Sequence, residues 1–147
     1  MASFYYMKYN NIDKWAGKDT HIVQSDMYVV ISDERNNLYK ISLLKGFRCD
    51  GLSVPFLFQW FLPSWSKDFK YNIAGAIHDA LYTVKGFGIF NRETCDDIFR
   101  SLLRDCGISR FKASCADKAV EWFAGGDNHW GNDSFKNKDY IKLSLLN

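Results

Sequence analysis

Two hydrophobic periods divide this chain. Met27–Ser32 (MYVVIS) is β-branched and aromatic, and Leu38–Leu44 alternates apolar with polar before Gly46. Between them lies the polar run Asp33-Glu34-Arg35-Asn36-Asn37, which reads as a turn. Strand, turn and strand predict a hairpin, continued by Gly46–Cys49. Further on the period changes to about 3.6. Residues 72–84 (NIAGAIHDALYTV) place Ile73, Ile77 and Leu81 on one stripe. Residues 92–105 (RETCDDIFRSLLRD) place Cys95, Ile98, Leu102 and, one turn on, Cys106 on one face, with Gly107 as the stop. Ser109 caps a third predicted helix through about Phe123, and a short segment, Tyr140–Leu146, closes the sequence. Strands first and helices afterwards indicate an α+β fold, in which an N-terminal antiparallel hairpin or small sheet packs with a three-helix half spanning 72–84, 92–106 and 109–123.

With 147 residues the chain is expected to form a single domain, 1–147. Apolar residues at 47% and charged residues at 24% set it apart from disordered chains and from membrane bundles. Residues 51–66 (GLSVPFLFQWFLPSWS) hold no charge, but Pro55 and Pro63 interrupt them, and a spanning helix needs about 20 apolar residues, so no transmembrane segment is expected. Met1–Asn11 lacks the basic-then-apolar layout of an export signal. A net charge of +2 with acids and bases interspersed offers no argument for nucleic acid as a partner. The unusual quantity is aromatic content, 17%, which implies either a very aromatic core or an aromatic surface that meets something. Trp60 and Trp65, within the charge-free stretch, are the candidate contact residues.

Cys49, Cys95, Cys106 and Cys115 form no CxxC pair and no zinc-ribbon spacing. Cys95 and Cys106 on one helix would stand about 16 Å apart, too far for a disulfide. All four are expected to be reduced and to act as small hydrophobes.

The candidate chemistry centres on His78-Asp79-Ala80-Leu81-Tyr82. On a helix Tyr82 lies one turn along the face of His78, while Asp79 is rotated about 100° away. A histidine and a carboxylate among Ala, Ile and Leu are costly to bury unless paired. One reading makes His78 a general base beside a cation ligand, Asp79. The plainer reading is a buried polar knot that does no chemistry. Asp96 and Asp97 open the next helix, and a short connection tends to pack two helices antiparallel, which brings Asp96 against His78. A carboxylate on one imidazole nitrogen fixes the tautomer and raises the basicity of the other. Asp97 suits a solvent-facing position near the helix N-terminus. Asp50, in the turn Cys49-Asp50-Gly51, is a second oxygen ligand for a hard cation, and Ser53 a hydrogen-bond donor into the same site. The plainer reading of Asp50-Gly51 is a tight turn.

The ordered motifs GFRCDGLSVP, AIHDALY, CDDIF and AVEWFAGG…W, from about Gly46 to Trp130, resemble the phage-associated domain of unknown function 1353. That resemblance implies a bacteriophage protein and assigns no reaction. A second resemblance, to phospholipase A2 enzymes, rests on HDxxY followed by an aspartate on a partner helix. It implies that His78 activates water, that Asp79 binds calcium, and that Asp96 and Tyr82 orient the histidine. The glycine-rich calcium loop and paired cysteines of those enzymes are missing here, so the Asp50-Gly51 turn would have to replace the loop.

Three functions follow. A calcium-assisted hydrolase would act on an ester of envelope lipid, with residues 54–65 resting on the bilayer interface. A non-enzymatic virion or assembly protein would use the same stretch to bind other phage proteins. A lysis-associated factor would act on the host envelope. In each case synthesis is expected in the host cytoplasm, with virion association open.

Overall fold

The computed structural model describes residues 3–8, 12–14, 21–23, 26–33, 35–49, 69–105, 130–133 and 136–146. Strands β1 (Ser3–Lys8), β2 (Ile12–Lys14), β3 (His21–Val23), β4 (Met27–Ser32), β5 (Leu38–Leu43) and β6 (Arg48–Cys49) precede helices α1 (Phe69–Thr83) and α2 (Arg92–Asp105). Strand β7 (Ile141–Leu145) follows. The fold is α+β. A four-stranded antiparallel sheet has the order β1-β4-β5-β7, and a three-stranded sheet the order β2-β3-β6.

The predicted hairpin is β4–β5, with Met27 opposite Leu43, Val29 opposite Ile41 and Ile31 opposite Tyr39. These positions share one face by the two-residue period, and Met27, Val29, Ile31, Ile41 and Leu43 are buried. The Asp33 carboxylate shapes the turn by accepting the Arg35 and Asn37 amides, both at 2.9 Å. Asn36 there adopts a left-handed conformation, φ 62°, which asparagine tolerates better than most residues.

Helix α1 begins at Phe69, a turn earlier than the period predicts, so Asn72 lies inside it. Ala74, Ala76, Ile77, Ala80 and Leu81 are fully buried, and a helix apolar on most of its circumference belongs in a core. Helix α2 is amphipathic. Cys95, Ile98, Phe99, Leu102 and Leu103 face inward, while Glu93 and Arg104 are exposed. Its N-terminus is capped by Asn91, whose side-chain oxygen accepts the Thr94 amide at 2.8 Å. The third predicted helix, 109–123, lies outside the described residues, as do Cys106 and Cys115 and the side chain of Cys49.

The reversal between the helices is left-handed. Lys85, Gly86, Phe87 and Gly88 have φ values of 50°, 62°, 57° and 76° in succession. Lys85 and Phe87 adopt this conformation despite the steric cost to residues with a Cβ. The Gly86 carbonyl accepts the amides of Ile89 and Phe90 at 3.1 and 3.0 Å. A Cβ on Gly86 would come within 2.9 Å of Phe90 Cβ and 3.3 Å of Cys95 Sγ, so the backbone packs where a side chain has no room.

The closing segment is not an appendage of the helical half. It enters the N-terminal sheet beside β5, with Leu143 opposite Ile41 and Ile141 opposite Leu43. Just before it, the buried Asn137 accepts the Arg48 amide at 3.0 Å and donates to the Arg48 carbonyl at 2.7 Å, which ties the C-terminal segment to β6.

Candidate functional site

His78 reaches its position because α1 and α2 pack against each other and both against the four-stranded sheet, α1 at β5 and α2 at β1, and the short reversal returns α2 along the face that carries His78 and Tyr82. His78 Nε2 lies 2.8 Å from Asp96 Oδ1, and the Tyr82 hydroxyl donates to that same oxygen at 2.8 Å. An ionised carboxylate only accepts, so His78 donates its Nε2–H and the neutral ring carries its lone pair on Nδ1. Among the described residues no hydrogen bond reaches Nδ1. The His78 and Tyr82 rings lie one above the other, centroids 4.3 Å apart and tilted by 37°. Phe99 of α2 closes another side of the imidazole at 5.1 Å.

The cluster is largely removed from solvent. The His78 side chain is 6% exposed and that of Asp96 15%. Burial, then the hydrogen bond and negative charge of Asp96, push the Tyr82 hydroxyl well above its ordinary value, and the Arg92 guanidinium opposes them. Tyr82 therefore remains a proton donor to Asp96 throughout the physiological range. Beside it the Cys95 thiol is pushed up to about 12, first by burial and then by the Asp96 charge. It is a free, buried thiol and not a nucleophile.

The structure thus brings together three predicted residues, His78, Tyr82 and Asp96. Asp79 is half-buried on the same helix, and its backbone carbonyl accepts the Thr83 hydroxyl at 2.8 Å. Asp97 faces outward and pairs with Arg100 at 2.5 Å. Asp50, Ser53, Trp60 and Trp65 lie outside the described residues. Among the described residues no group of three or more His, Cys, Asp or Glu is arranged to hold a metal.

Trp130 is a member of the cluster that helical spacing alone did not place. Its ring meets Tyr82 edge-on with centroids 5.1 Å apart, and the Gly131 amide donates to the Tyr82 carbonyl at 2.8 Å. The available signal was a lone tryptophan beyond Gly125-Gly126, part of a motif but with no spacing that points to α1.

Sheet, paired helices and a His–Asp–Tyr cluster between the helices define an α+β protein with a buried, charge-assisted polar centre. The chain belongs to the family described as "Protein of unknown function (DUF1353)", whose model matches residues 24–120, more than half of the sequence. No curated protein and no solved structure matches it.

Proposed function

We propose that His78 is the general base of a cation-assisted hydrolase that cleaves an ester, with lipid of a bacterial envelope as the substrate class and a bacteriophage as the source. The observation that carries this reading is the 2.8 Å bond from His78 Nε2 to Asp96 Oδ1, reinforced on the same oxygen by Tyr82. It fixes the tautomer that leaves Nδ1 with its lone pair, and it stabilises the imidazolium that forms when Nδ1 takes a proton from water. Hydroxide attacks the ester carbonyl, and the departing alkoxide recovers the proton from Nδ1. Asp79, with Asp50, would hold calcium, which suits hard carboxylate oxygens and would supply charge stabilisation at the carbonyl oxygen. The hydrolase reading and its calcium rest on the phospholipase A2-like order His-Asp-x-x-Tyr followed by Asp96. The phage setting rests on the family resemblance.

A second reading is favoured by the burial of His78, 5% exposed. In it the cluster only holds α1 to α2, and the protein is a virion or assembly component that uses residues 54–65 to meet other phage proteins. One experiment separates the two. His78→Gln retains much of the size and hydrogen bonding but loses the titrating nitrogen. Fatty-acid release from mixed phospholipid vesicles with calcium should fall by about 10²–10⁴-fold while the melting temperature stays close to that of the wild type. No release by the wild type with any divalent cation, together with normal infection by phage carrying His78→Gln, would refute the hydrolase and leave the structural role.

A further inference from the structure

Two segments far apart in sequence gather cationic side chains around Tyr140. The Leu44 amide donates to the Tyr140 carbonyl at 2.8 Å, which brings Lys45 alongside. The Tyr140 ring lies on Gly46, where a Cβ would meet its Cε1 at 2.9 Å. The buried Asn137 side chain holds the Arg48 backbone at 3.0 and 2.7 Å, and Lys136 and Lys138 flank Asn137 in sequence. Lys142 follows in β7, opposite Ser42. Lys45, Arg48, Lys136, Lys138 and Lys142 are all exposed, and so is Tyr140, at 38%.

Among the described residues none of these five cations forms an ion pair. The nearby carboxylates are turned to the backbone instead. Asp133 accepts the amides of Asn137 and Lys138, and Asp26 accepts the Lys45 amide. With the exposed Asp139 as the third acid, the five cations outnumber the local carboxylates by two, which equals the net charge of the whole chain, +2.

We propose that this corner is a membrane-docking surface: Lys45, Arg48, Lys136, Lys138 and Lys142 hold the protein on the anionic headgroups of a bilayer, with Tyr140 at headgroup depth. Unpaired lysines act on such a surface through charge alone, without a fixed geometry, and an amphipathic ring suits the boundary between water and acyl chains. Stable attachment takes two signals, an apolar one and a basic one. In sequence the charge-free run 51–66 begins three residues after Arg48, which favours a bilayer over nucleic acid as the anionic partner. The choice of a bilayer rests on the lipid-hydrolase reading above; the excess of unpaired cations does not.

The test is co-sedimentation of the full chain with vesicles in the presence of chelator, which separates binding from any calcium-dependent turnover. Binding is expected to equimolar phosphatidylcholine and phosphatidylglycerol, about tenfold or more weaker binding to phosphatidylcholine alone, and release in molar salt. Lys138→Glu and Lys142→Glu, both at exposed positions, should each lower the partition coefficient about fivefold or more with an unchanged circular dichroism spectrum. Arg104→Glu makes the same charge change at an exposed position of α2, which packs at β1, the opposite edge of the sheet from β7. It should alter binding by less than about twofold, because screened charges act over roughly a Debye length. Failure to bind the anionic vesicles overturns the proposal, as does binding indifferent to phosphatidylglycerol or an equal loss in the Arg104 variant. Tighter binding to a DNA duplex than to the vesicles would overturn it in favour of nucleic acid. Vesicle binding by a protein that releases no fatty acid with calcium restored would support this surface and refute only the hydrolase.

Discussion

Asp96 Oδ1 accepts two hydrogen bonds from one face of α1, from His78 Nε2 and from the Tyr82 hydroxyl, both 2.8 Å long. One oxygen thus orders an imidazole and its neighbouring phenol together. Around it Phe99 packs against the imidazole and Trp130 against the phenol.

Asp96→Asn keeps a carbonyl oxygen able to accept both bonds but removes the negative charge that stabilises a protonated His78. Hydrolysis should fall by about 10²–10⁴-fold if His78 is a base, while the fold persists. Vesicle hydrolysis read beside the melting temperature is the check, and an unchanged rate with an unchanged fold would argue against the pairing in catalysis.

Tyr82 makes alkaline stability informative. Its proton is held in the folded state well above the ordinary value of 10.0, chiefly by burial and by Asp96. Stability from this group is fully present below the unfolded pKa of about 10 and is lost as pH rises above it, because only the unfolded phenol ionises readily there. Tyr82→Phe should therefore be less stable than wild type at neutral pH by about 0.5–1.5 kcal/mol, the net value of one hydrogen bond. The gap should narrow above about pH 10. Urea unfolding across that range measures it, and a gap that widens contradicts the assignment.

Gly86→Ala tests the reversal that aligns the helices. At φ 62° an alanine carries the left-handed penalty, about 1–2 kcal/mol, and its Cβ meets Phe90 Cβ at 2.9 Å. A lower melting temperature is expected. The neighbouring Gly88, where a Cβ would meet nothing within 4 Å, should be affected less by the same change.

Thiol chemistry should follow burial. Cys95, with its thiol pushed up to about 12, is expected to resist alkylation at neutral pH in the native protein. After denaturation without reductant all four cysteines should titrate as free thiols, and a count of two or none would show a disulfide.

Calcium binding separates the metal from the base. Calorimetry should show binding to the wild type that Asp79→Asn weakens by at least about tenfold, because one carboxylate ligand is lost. Equal binding by both proteins would remove Asp79 from the cation site.

Much of this architecture was legible in local pattern. The β-branched and aromatic run 27–32, the polar turn after it and the alternation in 38–44 marked the hairpin, and the spacing of His78, Tyr82 and Asp96 foretold their meeting, because residues four apart on a helix share a face and a short connection returns the next helix alongside. The start of α1 was not legible: Phe69–Tyr71 continue a helix whose stability comes from tertiary packing, so Asn72 marks no boundary. Three further features required the tertiary structure. Tyr39 stands opposite Leu145 because a ladder joins segments from the two ends of the chain, and a five-residue alternation does not name its partner. The left-handed run Lys85–Gly88 contains two residues that disfavour it, so only the packing of α1, α2 and Trp130 around it accounts for its backbone. Trp130 itself meets Tyr82 through a contact with no sequence period at all. Local sequence determined which segments become strands and helices and which side chains share a face, since those follow from backbone geometry over a few residues. Which distant surfaces cover one another was decided by burial and hydrogen-bond satisfaction summed over the whole fold, and that sum exists only once the chain has closed on itself.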